Sequence, residues 1–302
     1  MQSKISLHLK LVLIFSLVLF KNANAQDPDL LSLVEDDKAK KEFVTNSYKS
    51  TRVIMSHSLE NLAGGVLDFR ILHRFGMINQ GSYQFFGLDQ ATIRLGLDYA
   101  ITNRLTVGIG RSSYKKEVDG FVKYKLLWQA TGPKSSPVSV IYVGGTTVNG
   151  LKFEDQEVEN YFSSRLGYYH QLIIGRKFSE RLTLQIAPTF LHLNIVPQTI
   201  NRHDIYGAQI GGRIKLTKRL ALTADYVFVA NGKEGDLEYK HPLSIGFDIE
   251  TGGHVFQLHF TNATGMNERA FITETQGDWG KGDIQFGFNI SRVFTIKDKR
   301  KK

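Results

Sequence analysis

Beyond about residue 60, hydrophobic and polar positions alternate one by one along most of the chain, most clearly from Ala91 to Ser112. There Ile93, Leu95, Leu97 and Tyr99 share one face, while Arg94, Gly96 and Asp98 share the other. After a turn at Ile101 to Asn103, Leu105, Val107 and Ile109 alternate with Thr106, Gly108 and Gly110. Period-two alternation on both sides of an Asn-containing turn predicts a β-hairpin. The run Thr102-Asn103-Arg104-Leu105-Thr106-Val107 is echoed by Ser179-Glu180-Arg181-Leu182-Thr183-Leu184 and by Thr217-Lys218-Arg219-Leu220-Ala221-Leu222. One hairpin design recurs around a sheet.

The same alternation predicts twelve strands: Val66 to Phe75, Ala91 to Ala100, Arg104 to Ser112, Val118 to Gln129, Val138 to Gly144, Tyr161 to Gly175, Arg181 to Leu191, Asp204 to Leu216, Arg219 to Val229, Pro242 to Glu250, His254 to Thr261 and Gly282 to Phe294. Short connections alternate with generally longer ones, the division between periplasmic turns and external loops in outer-membrane barrels. The fold class is therefore all-β: an antiparallel transmembrane β-barrel of about 12 strands with a short N-terminal periplasmic segment. Thr51 to Leu59 also reads as a strand, but a thirteenth stave would break the even count, so it belongs in the lumen or at the seam. Residues 1–25 are expected to be a signal peptide, 26–59 a periplasmic or plug segment, 60–296 the barrel and 297–302 a basic tail.

Charge decides which face meets lipid. Sealing many ions in a dry interior costs several kcal/mol each, so the charged face is expected to line a wet lumen and the apolar face to meet hydrocarbon. The expected lumen set is Arg70, Arg94, Asp98, Lys123, Lys125, Arg165, Arg213, Lys215 and Asp225, joined on the same phase by Asp68, Arg74, Arg104, Asp248 and Glu250. The outward phase carries Leu95, Leu97, Phe247, Leu258 and Phe286, with Tyr99, Tyr124, Trp128, Tyr142, Tyr168 and Tyr226 as a candidate aromatic girdle. A net positive wall raises the local concentration of anions. Twelve strands nevertheless leave a narrow interior, and Arg70, Arg94 and Asp98 on adjacent strands are equally placed to form an ion-pair network that closes it.

The segments Phe43-Val44-Thr45 to Thr51-Arg52-Val53-Ile54, His57-Ser58-Leu59-Glu60, Leu67-Asp68-Phe69-Arg70-Ile71-Leu72-His73-Arg74-Phe75-Gly76, and Phe86-Gly87-Leu88-Asp89 leading into Ala91-Thr92-Ile93-Arg94-Leu95-Gly96-Leu97 resemble an uncharacterised family of bacterial outer-membrane β-barrel proteins. The resemblance spans most of the chain after the leader and is most specific between Glu42 and Leu127. It implies an outer-membrane barrel and supplies no activity. The final aromatic of the pattern, Phe294, is followed by eight more residues instead of ending the chain, a departure from many such barrels.

Composition changes the picture in three places. Lys4 and Lys10, the apolar run Leu11 to Phe20 and Ala23-Asn24-Ala25 make a secretory signal with cleavage before Gln26. Removing Lys4, Lys10 and Lys21 takes the formal charge from +9 to +6, and residues 297–302 hold +4 of that remainder, so the basic balance gives no case for nucleic acid. The absence of Cys excludes a lipoprotein anchor, disulfides and thiolate metal sites. In the segment after the leader, Asp29 is positioned to cap a short helix bearing Leu30, Leu33 and Val34.

No enzyme motif is present: no G-x-S-x-G, no G-x-x-x-x-G-K-[ST] and no H-E-x-x-H. The pattern puts His57 and His73 on neighbouring strands, where a polar contact is expected in preference to a metal site. Glu154, Asp155, Glu157 and Glu159 form an acidic loop cluster, read as solvated in preference to cation-binding. No cofactor and no metal site are expected. Expected partners are outer-membrane lipid and lipopolysaccharide, the barrel-assembly machinery, and a periplasmic partner at the acidic Asp27 to Asp37 segment or the basic tail. Three functions follow: a narrow anion-preferring channel or small-solute transporter; a non-conducting structural or docking barrel; and, remotely, a lipid hydrolase built on the outward-facing His170 and His192. N-terminal sequencing of membrane-extracted protein should begin at Gln26, and an intact Met1 would refute the signal-peptide reading.

Overall fold

In the computed structural model, residues 40–153, 159, 161–196, 202–230, 233–234 and 237–297 are described. The leader, the Asp29-capped segment, most of the acidic loop cluster and the tail beyond residue 297 lie outside them. Twelve antiparallel strands close into a barrel: β1 Val66–Met77, β2 Ala91–Ala100, β3 Leu105–Ser112, β4 Val118–Leu127, β5 Ser139–Val148, β6 Leu166–Lys177, β7 Leu182–Leu193, β8 Asp204–Lys215, β9 Leu220–Val229, β10 Leu243–Thr251, β11 His254–Thr261 and β12 Gln285–Thr295. Each strand pairs with its sequence neighbours, and β12 closes on β1 through pairs such as Ile290 with Ile71. Closure satisfies every strand's backbone within the wall, which is the condition for crossing hydrocarbon without helices. Every one of the twelve strands read from the alternation is present.

The faces sort as charge requires. On β2, Leu97 is 45 % exposed and its neighbour Asp98 1 %, so apolar side chains clothe the outside and polar ones turn inward. Outward rings form clusters, among them His73 stacked on Phe288 at 4.8 Å and Phe75 on Phe286 at 5.8 Å. The interior is only partly polar. Inward Ile141, Val143, Tyr169, Ile173, Ala187, Leu191 and Val227, on β5 to β9, form an apolar cluster. The uniformly charged wet lumen inferred from alternation is therefore corrected: one arc of the wall is an apolar core.

Two segments that were not expected to fold as they do pack inside. Thr51 to Leu59 is not a strand but a tight hairpin, with an Arg52/His57 bridge and a Val53 N–H to Ser56 carbonyl bond of 2.8 Å at its tip. Its entry lies at the short-turn end, where Glu42–Phe43 pairs with Ala130–Thr131. Its exit lies at the same end, where the Gly65 N–H donates to the Ala100 carbonyl at 2.7 Å. From the long-loop end, the connection between β11 and β12 folds inward instead of outward and carries α1, Glu268–Thr273, all six residues of which are buried. Asn267 caps it by accepting from the Ala270 N–H at 2.9 Å.

A cation placed on the lipid face tests the assignment of sides. Leu95→Arg, at the middle of β2, should destabilise the barrel in lipid vesicles by about 2–4 kcal/mol, while Thr251→Arg, exposed at the short-turn end of β10, should stay within about 0.5 kcal/mol; equal effects in equilibrium unfolding would reverse the faces.

Candidate functional site in the barrel interior

A chain segment inside a barrel has no ladder to join, so the wall must supply partners for its backbone. The hairpin finds them around the circumference. Asp225 on β9 turns Oδ2 toward its tip and accepts from the N–H groups of Ile54, Met55 and Ser56 at 3.3, 2.9 and 2.9 Å, and from the Ser56 hydroxyl at 3.0 Å. Gln185 on β7 accepts from the Leu59 N–H at 2.9 Å and donates to the His57 carbonyl at 2.7 Å. Gln257 on β11 donates to the Val53 carbonyl at 2.6 Å, and Asn289 on β12 to that of Ile54 at 3.0 Å. Lys123 on β4 donates to the carbonyls of Thr51, Ser58 and Glu60 at 3.3, 2.8 and 2.6 Å.

Arg70 on β1 donates to Ser50 and Thr51 of the incoming chain at 3.0 and 2.8 Å and to Asp68 at 3.2 Å. Asp98 accepts from the Thr51 hydroxyl at 3.4 Å. Arg94 pairs not with Asp98 but with Asp119 on β4, its Nε and Nη2 meeting the two carboxylate oxygens at 2.8 and 2.5 Å. Gly110 makes that pair fit: a Cβ there would lie 2.1 Å from Arg94 Nη2, so the arginine spans the neighbouring strand only because its side chain is missing. Asp119 was missed, although it shares the phase of Lys123 and Lys125.

The two inserted segments meet in the interior. Arg52 Nη1 of the hairpin lies 2.5 Å from Glu268 Oε1 of α1, and His57 Nε2 lies 3.4 Å from the same oxygen. All three are buried, and the His57 ring meets Phe121 edge-on at 4.6 Å. Burial, and after it the Arg52 cation, hold the His57 imidazole well below its usual range. Burial pulls the Glu268 carboxyl above its usual range, with Arg52 opposing. Arg269 forks onto Glu117 and also reaches Glu274, tying α1 to the wall. No alternation pattern marks this loop; only Asn267 before Glu268 gives the helix a start signal.

Not every expected residue joins the interior. Arg165 lies in a 3-10 turn, Phe162–Arg165, ahead of β6, where it bonds the Asn149 and Leu151 carbonyls and covers the Phe153 ring at 3.8 Å. The expected strand began at Tyr161, but the ladder begins at Leu166, which takes Arg165 off the wall. Arg104 is likewise in a turn, over the Trp128 ring at 4.2 Å. Arg213 is buried on β8, Lys215 is half-buried at its short-turn end, and Lys125 is buried with Nζ 5.6 Å from the Trp128 centroid. His57 and His73 do not meet, because one is inside the barrel and the other stacks outside it.

Among the described residues, the outward His170 and His192 have no serine partner: His170 Nδ1 meets the Tyr142 hydroxyl at 2.6 Å and His192 Nδ1 meets Asp204 at 2.6 Å. Serine-based chemistry needs the serine hydroxyl within reach of its base; the hydroxyl brought to His170 is a tyrosine's, and His192 meets a carboxylate. No cluster of metal-binding side chains occurs among the described residues.

A family model described as a membrane bound beta barrel domain matches residues 48–294, which takes in the hairpin as well as the wall. The solved structures it resembles are distant in sequence. The NanC porin is 10 % identical with a TM-score of 0.49, covering 76 % of this chain and 98 % of its own. An outer-membrane channel from Pseudomonas putida F1 is 12 % identical with a TM-score of 0.47, covering 78 % and 97 %. Outer membrane phospholipase A from Escherichia coli is 10 % identical with a TM-score of 0.45, covering 80 % and 96 %. No curated protein matches in sequence.

The Arg94/Asp119 pair should behave as a buried ion pair. Arg94→Met or Asp119→Leu alone strands a charge and should cost about 3–5 kcal/mol, whereas the double variant should lose far less than the sum; additive losses in equilibrium unfolding would show that the two do not interact.

Proposed function

This chain belongs to the membrane bound beta barrel domain family, and on that premise we propose that it resides in the outer membrane of a Gram-negative bacterium as a barrel closed at rest by its own chain. The short turns face the periplasm and the long loops face outward. The carrying observation is the meeting of the 48–60 hairpin with α1 at Arg52 and Glu268, one segment entering from each mouth. Wall cations that would draw anions into an open lumen are already engaged: Lys123 binds three hairpin carbonyls, Arg70 binds Ser50 and Thr51, and Arg94 is paired with Asp119 across the wall. The resting barrel serves as a membrane-embedded scaffold whose termini and loops are available to partners.

A second reading has its own support. Both ends of the hairpin emerge at the short-turn mouth, so it can withdraw without passing the chain through the barrel. Withdrawal would expose Arg70, Lys123 and Asp225 to a narrow passage with a small excess of positive charge, suited to small anionic solutes.

Planar-bilayer recording of the refolded protein after leader removal separates the readings. The wild type should be silent, and steady wild-type conductance would overturn the closed state. Asp225→Ala, which removes the acceptor from the hairpin tip, and deletion of residues 48–60 should each produce steps, with asymmetric salt showing anion preference if the passage reading holds. Variants shown to be folded yet silent would leave the scaffold reading and dismiss the passage.

A further inference from the structure

Arg94 and Arg269 share a device: the Nε–Nη2 edge of each guanidinium, two parallel N–H donors, grips a carboxylate, that of Asp119 in one case and Glu117 in the other. Arg74, on the inward face of β1, has the same edge and no such partner. Its Nη1 is engaged, donating to the His73 carbonyl at 2.9 Å and to Asn289 Oδ1 at 3.0 Å, which fixes the plane of the group. Its Nε and Nη2 are buried without a hydrogen bond among the described residues. Arg70 leaves the same two atoms unbonded, but Asp68 lies 3.2 Å from its Nη1 and answers its charge. Among the described residues no carboxylate is in ion-pair contact with Arg74, which is 0 % exposed and feels the charge of Asp225 only at longer range.

Two strands away on the same face, His259 of β11 also carries a buried, unbonded nitrogen, Nε2, and is 1 % exposed. Between them stands Gly287 of β12, in register with both Arg74 and His259. A Cβ at residue 287 would lie 2.6 Å from His259 Nε2 and 2.8 Å from Arg74 Cδ. The glycine therefore lets both side chains reach over its backbone. An unpaired guanidinium in such a place is costly to bury. The Nδ1–H of His259 donates to the Gln257 carbonyl at 3.4 Å, which leaves Nε2 as an acceptor facing the same region.

We propose that Arg74 and His259, converging over Gly287, form a binding site for a small protonated oxyanion: two of its oxygens accept from the Nε–Nη2 fork, as the carboxylates of Asp119 and Glu117 do for Arg94 and Arg269, and its own hydroxyl donates to His259 Nε2. The ligand is a phosphate-like ion, since two parallel donors match two oxygens of one acceptor group better than a spherical halide. The site adjoins the hairpin through Asn289, which accepts from Arg74 and donates to the Ile54 carbonyl, so filling of the lumen and anion binding share one wall residue.

The test is the thermal unfolding midpoint of the purified full-length chain in detergent, titrated with inorganic phosphate at constant ionic strength with chloride as the balancing ion. A ligand that binds only the folded state raises the midpoint progressively once its concentration exceeds the dissociation constant. The wild type should show that rise, Arg74→Met should abolish it, and Lys215→Met at the barrel mouth should retain it. Should Arg74→Met fail to fold, Gly287→Ser, which crowds the space between the two side chains, is expected to abolish the rise by itself. A wild type indifferent to phosphate, an equal response to chloride, or a folded Arg74→Met or Gly287→Ser variant with the full rise would each overturn the site.

Discussion

A backbone that leaves the ladder but stays inside the barrel must still bond every N–H and C=O it buries. The rest of this structure follows from that requirement. Without Asp225 opposite its tip, the hairpin would bury three successive N–H groups with no acceptor. Gln185, Gln257, Asn289 and Lys123 answer its remaining groups from other parts of the wall. The polar phase of the strands is thus a set of sockets shaped to one inserted segment, and the outward apolar phase follows from the lipid on the other side.

The wall was readable because alternation records two environments residue by residue, so a strand such as β2 discloses both its existence and its orientation. The interior was less readable for the same reason. Alternation says that Asp225 points inward but not what it meets there, and the nine-residue Thr51 to Leu59 run alternates well enough to pass for a strand. Its true form depends on acceptors far away in sequence. Asp119 is a different case, since its phase was visible and only its pairing across Gly110 needed coordinates. Arg165 failed at a boundary, where a 3-10 turn begins before the ladder does. Nothing local in the loop after β11 says that it turns inward, because the cause is the Arg52 and Glu117 waiting for Glu268 and Arg269.

Charge inside the barrel is divided by use. On one arc, β1 to β4 carry Arg70, Arg94, Lys123 and their partners, while β5 to β8 present Ile141, Tyr169, Ile173 and Leu191 to the apolar side of the hairpin. The hairpin faces both, with Val53, Ile54 and Leu59 in the apolar cluster and Arg52 in the polar network. Apolar burial supplies a non-directional driving force, and the ion pairs set where the segment stops. A filling held by only one of these would be either weak or free to slide.

The position of the hairpin's two ends bears on how the molecule is made. A segment that entered by one mouth and left by the other would have to be threaded, or the wall would have to be built around it in a fixed order. Here entry and exit share the short-turn mouth, and the α1 loop returns to the long-loop mouth it came from. Each insertion is a closed excursion from one rim. The wall can be zipped shut first and filled afterwards from both sides, so closure and filling are separate steps, while the two insertions complete each other where Arg52 meets Glu268.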